Sequence, residues 1–526
     1  MLVQEAGPPL TSSTWKKATK LLAALSLLSL ALACAFVALD ARSPSAALVL
    51  SAQGSTALAT ALGLASVLAG SVHVFRVRKD LRMPLLFAVL ISVAVFGAHM
   101  YVINSPPTAQ CSSSAKLGCI MDEVFYVPAA QTMLAGTQCA PYADNCNLEH
   151  PFLAKAMIAA GTAVFGSGDL GWRFFSALLG TLSIPLLFVL VDLISGNRRM
   201  SYLSAILFSL DTMFFVHSSA ALIDVPPIFF MLLAFVLYFW KARFWRVDSM
   251  VASGMVLGLA LLSKETAIFA VAVLFTYHLM FGEGTFRHAA LETAKLLTVA
   301  ALVFFAGLQI YDSLLASASV PTFVQDVAFI FKYGSGLDCP PAAIAIVPKC
   351  GMWVASSLNS YITPLNWLTY YPPVSYFVTT VTTTVGSGPA ATSYSYIGIG
   401  YYGVGNVIVL WSVFVWVPLA VYTLVRVRRK GGERMKDDRS MIFLLVWLFW
   451  SYAPYVGLWL WGRVTYPFYV LPAVPAFATG ASYFATRQWF PRWLVVIYVL
   501  AALVWFVIYF PVKDFLPVFL RVWIGR

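Results

Sequence analysis

Asp122 and Glu123 stand side by side at the head of the stretch DEVFYVPAAQTML, between segments apolar enough for a lipid bilayer. A carboxylate near lipid is costly to keep, so acids at such a place are candidates for chemistry. His150, Lys155, Arg173, Lys264 and Arg463 supply cationic partners, and Asp224 and Glu265 are further acids. Carboxylates with separate cations suit transfer from a phosphate leaving group. A carboxylate takes the proton of an attacking hydroxyl. Cations hold a phosphodiester and stabilise it as it leaves. No Walker-type phosphate loop, GxSxG or HExxH motif occurs. A lipid-linked phosphate donor fits this set, with its apolar tail left in the bilayer.

The elements that must position these residues are membrane spans. The 526 residues are 60% hydrophobic and only 11% charged, against roughly 25% charged in soluble domains. Apolar runs near 17–39, 51–75, 82–104, 172–195, 201–219, 222–241, 249–263, 266–282, 289–311, 405–426, 440–461, 464–485 and 492–511 predict about 13 spanning helices. The run after Lys20 is longer than a signal-peptide core and reads as a retained span, with a cleaved signal as the minor alternative.

The net charge of +12 collects in short clusters: Arg76–Arg82, Arg198–Arg199, Lys241–Arg246 and Arg426–Arg439. Alternating the spans puts every cluster in the cytoplasm, as the positive-inside rule requires. That pattern argues for anionic headgroups, and no nucleic-acid partner is expected. The segment 152–166 is apolar but short, and is expected to lie on or dip into the outer surface.

Four segments follow: two extra N-terminal spans (1–81); a catalytic core (82–311) with a first outer loop (105–171); a second outer loop (312–404); and C-terminal spans (405–526). The distal second loop, rich in Thr, Ser, Tyr and Gly, reads equally as an ordered, partly membrane-dipping cover or as a flexible surface loop. Six of the seven cysteines fall in the two outer loops, which suits disulfides in an oxidising space. Adjacent pairing (Cys111–Cys119, Cys139–Cys146, Cys339–Cys350) is the simplest arrangement. CxxC zinc spacing is missing, and neither metal nor cofactor is expected.

Each candidate also has a structural reading. Asp122 and Glu123 suit a solvated pair at a helix N-terminus. His150, before Pro151, suits a turn. Lys155 suits snorkelling from a surface helix. Arg173 and Arg463 suit interface anchors. Asp224 suits an N-cap ahead of Pro226. Lys264 and Glu265 suit an ion pair closing a turn. What favours function is that all of them gather at one membrane face.

The motifs DEVFYV, HPFLAKAMIAAG, WRFFSALLGTLSIPLLF, ALIDVPPIFF and GLALLSKETAIF occur in that order over roughly residues 120–280. With RVTYPFYVLPAVP as a weaker match, they make the chain resemble the protein O-mannosyltransferases of the C-type glycosyltransferase superfamily. The resemblance implies an all-α polytopic membrane fold with two long extracytoplasmic loops. It implies inverting transfer of a sugar, mannose in that family, from a polyprenyl-phosphate donor to a Ser or Thr hydroxyl of a protein or peptide. The site would face the extracytoplasmic side of the plasma membrane or its equivalent.

By this resemblance Asp122 is the base and Glu123 helps to position substrates. Arg173 binds the donor phosphate, with Lys264 or Arg463. His150, Lys155 and Asp224 belong to the substrate site. A dimer is one assembly it allows. The chain departs from the family at Phe152, where a second Pro is usual, and at Glu265, where a Trp often stands. An Arg often found before the Leu-Leu-Asp motif is missing at Ser218–Ala220, and the second loop leaves no room for a β-trefoil MIR domain. These departures leave room for a glycan or lipid acceptor. No WWDxG motif supports an oligosaccharyltransferase, and no internal repeat supports a transporter.

Overall fold

The computed structural model describes residues 82–526 except 108–117, 140–145, 241–247, 283–284, 317–321, 338–351, 355–359, 370–372, 386–391, 430–434, 488–489, 518–519 and 522–526. The expected spans 17–39 and 51–75, and Cys34, Cys111, Cys339 and Cys350, lie outside the described residues. Ser92–Arg526 form one compact unit.

The chain is mainly helical. Helix α1 (Arg82–Val102) leads into the first outer loop, which carries α2 (Glu123–Ala135) and α3 (Leu153–Phe165). Then come α4 (Asp169–Ser195), α5 (Arg198–Ser209), α6 (Thr212–Ser218), α7 (Val225–Trp240), α8 (Ser249–Ser263), α9 (Ile268–Phe281) and α10 (Phe286–Tyr311). The second outer loop holds α11 (Phe323–Ser335) and four strands: β1 (Met352–Val354), β2 (Ser360–Ile362), β3 (Val374–Val385) and β4 (Thr392–Gly403). Helices α12 (Val407–Leu410), α13 (Val413–Arg429), α14 (Met435–Leu460), α15 (Val474–Ala485) and α16 (Arg492–Ile508) complete the chain.

Among the described residues, five helices are long and apolar enough to cross a membrane, or six if one bent pair counts as a span. Eleven of the about 13 expected spans fall among the described residues, so this is fewer than the apolar runs suggested. Several of those runs form helices of only 10–17 residues, including α7, α8 and α16, and α3, expected to lie on or dip into the surface, is likewise short. The expected span 201–219 is broken into α5 and α6, bent by 65°. Asp211 explains the break. One carboxylate oxygen accepts the Phe214 N–H at 2.8 Å and caps α6; the other accepts the Asn406 N–H at 3.0 Å. Asn406 Nδ2 in turn donates to the freed Leu210 carbonyl at 2.8 Å. A broken helix inside a membrane protein survives when its loose polar groups are repaired in this way.

The all-α expectation needs correction in the second outer loop. Its Thr- and Tyr-rich distal part is an ordered antiparallel hairpin, β3 against β4, running from Val374↔Gly403 to Val385↔Thr392. Alternating β-branched and aromatic residues favour strands. Hydroxyl pairs such as Thr382–Ser395 (3.0 Å) cross the ladder. The hairpin base is anchored by the Tyr401 hydroxyl, which donates to the Ser105 carbonyl at 2.6 Å, and by Gly400 N–H to Pro511 O at 2.9 Å. In the first loop Cys139 pairs with Cys146 as expected, and Cys119 is also in a disulfide.

Helix α8 matters because its end carries Lys264. Gly254 and Gly258, a GxxxG pair, let it lie against α10. A Cβ at Gly258 would sit 2.5 Å from Val303 Cβ and 2.9 Å from the Ala300 carbonyl; one at Gly254 would sit 2.7 Å from the Leu296 carbonyl. Close backbone approach of this kind holds membrane helices together where lipid offers no hydrophobic driving force. We predict that Gly258→Leu lowers the thermal midpoint of the detergent-solubilised protein, by a loss of about 1–3 kcal/mol. An unchanged midpoint would show that α8 and α10 do not pack as described.

Candidate active site

Asp122 is the residue before α2, and its side chain caps no helix N–H. Among the described residues nothing hydrogen-bonds to its carboxylate. Met121, just before it, takes the left-handed φ of 53°. Both residues line a cavity of about 1150 Å³.

Glu123 turns the other way, because successive helical residues point about 100° apart. It is fully buried, as is Arg173 on the first turns of α4. Arg173 Nε and Nη2 donate to the two Glu123 oxygens at 2.8 and 2.9 Å. Nη1 donates to the carbonyls of Ile103 and Pro106 at 2.8 and 3.0 Å. Glu123 also accepts the N–H groups of Ile120 and Ala221, each at 2.8 Å. Arg173, expected to bind the donor phosphate, does not line the cavity, and its donors face protein acceptors. Glu123 likewise shapes the site from behind.

Lys155 likewise does not line the cavity. It is fully buried on α3. Its ammonium donates to the carbonyls of Cys146 (3.3 Å), Asn147 and His150 (2.7 Å). Its contribution is to fold the loop that presents His150. His150 does line the cavity, and its Nδ1 lies 2.9 Å from Glu265. Glu265, read in the sequence as an ion-pair partner of Lys264 and as a departure from the family, is thus a wall residue with a partner 115 positions away.

Behind the wall, Lys264 Nζ donates to Asp224 Oδ1 at 2.5 Å and lies 5.0 Å from the centre of the Phe468 ring. Lys264 itself lines the cavity. The other Asp224 oxygen is 3.1 Å from His217 Nδ1. His217 Nε2 is 3.2 Å from the hydroxyl of Tyr376 on β3. His217 was missed. An ionisable residue inside the apolar run 201–219 was the available signal. Tyr376 offered none, lying in a stretch crowded with tyrosines. Arg463 also lines the cavity, with Nε donating to the Gly334 carbonyl at 2.6 Å.

The cavity has two characters. Around Asp122 it is polar, lined by His150, Lys264, Glu265, Arg463 and Tyr466. Away from it, Ile268, Leu297, Ala301, Phe304 and Phe305 make an apolar flank from α9 and α10. The Asp122 carboxyl lies above the ordinary carboxylate range. Burial is the main cause and the negative charge of Asp224 the next; Lys264, His150 and His217 oppose them. Among the described residues no group of three His, Cys, Asp or Glu side chains is placed to hold a metal ion.

Residues 149–311 match the family model described as dolichyl-phosphate-mannose-protein mannosyltransferase. A polyprenol-phosphate-mannose–protein mannosyltransferase of Mycobacterium tuberculosis is 34% identical over 116 residues, 22% of each chain. An uncharacterised protein of Aquifex aeolicus is 32% identical over 169 residues, 30% of this chain and 33% of that one. The chain therefore spans a third or less of the length of these relatives. The Saccharomyces cerevisiae protein O-mannosyltransferase Pmt1–Pmt2 complex bound to the sugar donor has a similar structure. Its TM-score is 0.53 at 13% identity, over 82% of this chain and 90% of that one. This likeness is one of fold, and it agrees with the five helices among the described residues that are long and apolar enough to cross a membrane.

Two outcomes are expected. Arg173→Ala should cost about 3–5 kcal/mol, because it strands the buried Glu123 charge. Thermal unfolding in detergent reads this loss, and a stable variant with weakened donor binding would restore the phosphate role. Asp224→Asn removes a negative neighbour from Asp122 and should lower the Asp122 pKa. Any activity that needs the Asp122 carboxylate is lost as pH falls through that pKa. The acid limb of the variant's pH–rate profile should therefore move to lower pH, and a limb that stays put would rule out this coupling.

Proposed function

We infer that this chain, related to the dolichyl-phosphate-mannose-protein mannosyltransferases through residues 149–311, transfers a sugar from a polyprenyl-phosphate donor to a hydroxyl acceptor. Mannose and a Ser or Thr of a protein or peptide are the proposed pair, and the extracytoplasmic face is the proposed side. One observation carries the reading. The unpartnered Asp122 carboxylate faces a cavity that is cationic at one end and apolar along one flank.

In the proposed step, the acceptor oxygen attacks the anomeric carbon and Asp122 takes its proton. The carbon–oxygen bond to the phosphate breaks on the opposite face, which inverts the anomeric centre. The electron pair leaves with the polyprenyl phosphate. Lys264 and Arg463 meet the developing charge, in place of the buried Arg173. The apolar flank from α9 and α10 takes the first isoprene units. His150 and Glu265, held to each other, form the wall beside the sugar. An Asp whose pKa is raised is, once ionised, a better base than a free carboxylate.

The test is a transfer assay on purified protein with defined polyprenyl-phosphate sugars and a Ser/Thr peptide. Asp122→Asn should slow turnover about 100- to 10,000-fold with an unchanged melting temperature. Near-normal turnover would sink the base assignment. Product carrying the sugar on a glycan or lipid, with the peptide untouched, would overturn the protein acceptor and leave the donor chemistry standing.

A further inference from the structure

Four side chains form an unbroken line from the second outer loop to the cavity. The Tyr376 hydroxyl is 3.2 Å from His217 Nε2. His217 Nδ1 is 3.1 Å from one Asp224 oxygen, and Lys264 Nζ is 2.5 Å from the other. His217 is fully buried, and Asp224 and Lys264 nearly so. The members come from β3, α6, the turn before α7 and the end of α8, so no single element makes the line.

The hydrogen positions follow from the acceptor at its centre. Ionised Asp224 only accepts, so His217 Nδ1 must carry a proton and donate it. In the neutral ring Nε2 is then the acceptor, and Tyr376 is its donor. Burial and the charge of Asp224 raise the Tyr376 phenol well above its usual range, so it keeps its proton. Every link thus has one donor and one acceptor. Such a chain holds Asp224 at one orientation, and Asp224 holds Lys264.

We propose that His217 and Tyr376 are positioning residues that seat the outer-loop hairpin onto the phosphate-binding end of the cavity, acting through Asp224 on Lys264. The hairpin and the donor site are then coupled: the contact of Tyr376 with His217 sets the angle of the ammonium that meets the phosphate. The proposal rests on the reading of the cavity as a polyprenyl-phosphate site. Tyr376 is the joint. Below it β3 is fixed by β4, whose Tyr401 and Gly400 are tied to Ser105 and Pro511. Loss of the joint leaves the hairpin formed and loosens only its hold on the site.

The experiment uses the full chain in detergent, with polyprenyl phosphate alone as the probe for binding and the donor sugar for kinetics. Lys264→Gln is the reference and should weaken binding of the probe. Tyr376→Phe removes one hydroxyl and His217→Ala removes both links. Each should weaken the probe by about 2- to 10-fold, the range of one or two net hydrogen bonds. The donor KM should rise more than kcat falls. His217→Asn, which retains a donor near the Nδ1 position, should recover much of the loss seen in His217→Ala.

A merely structural role would lower the melting temperature without moving KM apart from kcat and without rescue by Asn. If Tyr376→Phe and His217→Ala bind the probe as tightly as wild type while Lys264→Gln does not, the relay is refuted and the donor site stands. If Lys264→Gln also binds normally, the donor-site reading fails and takes the relay with it.

Discussion

The Glu123–Arg173 pair joins segments that are far apart in the chain. Arg173 on α4 meets both oxygens of Glu123 and reaches the carbonyls of Ile103 and Pro106 just beyond α1. Glu123 gathers the N–H groups of Ile120 and Ala221. Burying two charges costs several kcal/mol for each ion, and only a complete set of partners offsets that cost. Here both Glu123 oxygens and all three Arg173 nitrogens have partners, and the geometry reaches two neighbouring acids. Asp122 is one residue from Glu123. Asp224 is three residues from Ala221. The clamp thus helps to set the spacing between Asp122 and Asp224, although it does not line the cavity itself.

Four cations at one face look alike in sequence, yet they divide into two kinds. Arg173 and Lys155 spend their donors on buried carbonyls or a buried carboxylate. Lys264 and Arg463 reach the cavity. That these residues belong near one another was suggested by the charge clusters and apolar runs. Whether their donors were already used was not, because the carbonyls that use them belong to loops with no sequence pattern of their own. The same limit hid the hairpin. Its Thr and Tyr residues suggested order, but only the pairing of β3 with β4 places Tyr376 against His217.

Span prediction failed in an instructive way. Hydropathy found the segment 201–219 as one apolar run, and Asp211 lay within it. The bend there turns α6 so that His217 comes within reach of Asp224. The signal was a single acid in an apolar run, the same kind of signal that singled out Asp122. Apolar periodicity reports where the chain meets lipid. It is silent on where a helix stops to face a site.

Lys155 has a consequence for the loop it closes. Three carbonyls from Cys146, Asn147 and His150 converge on its ammonium, much as carbonyls of irregular loops converge on a bound calcium ion. The charge is tethered to α3 and arrives with the chain. It is never diluted, exchanged or chelated. The loop that presents His150 is therefore held by a charge that belongs to the chain itself and does not depend on a free ion from its surroundings.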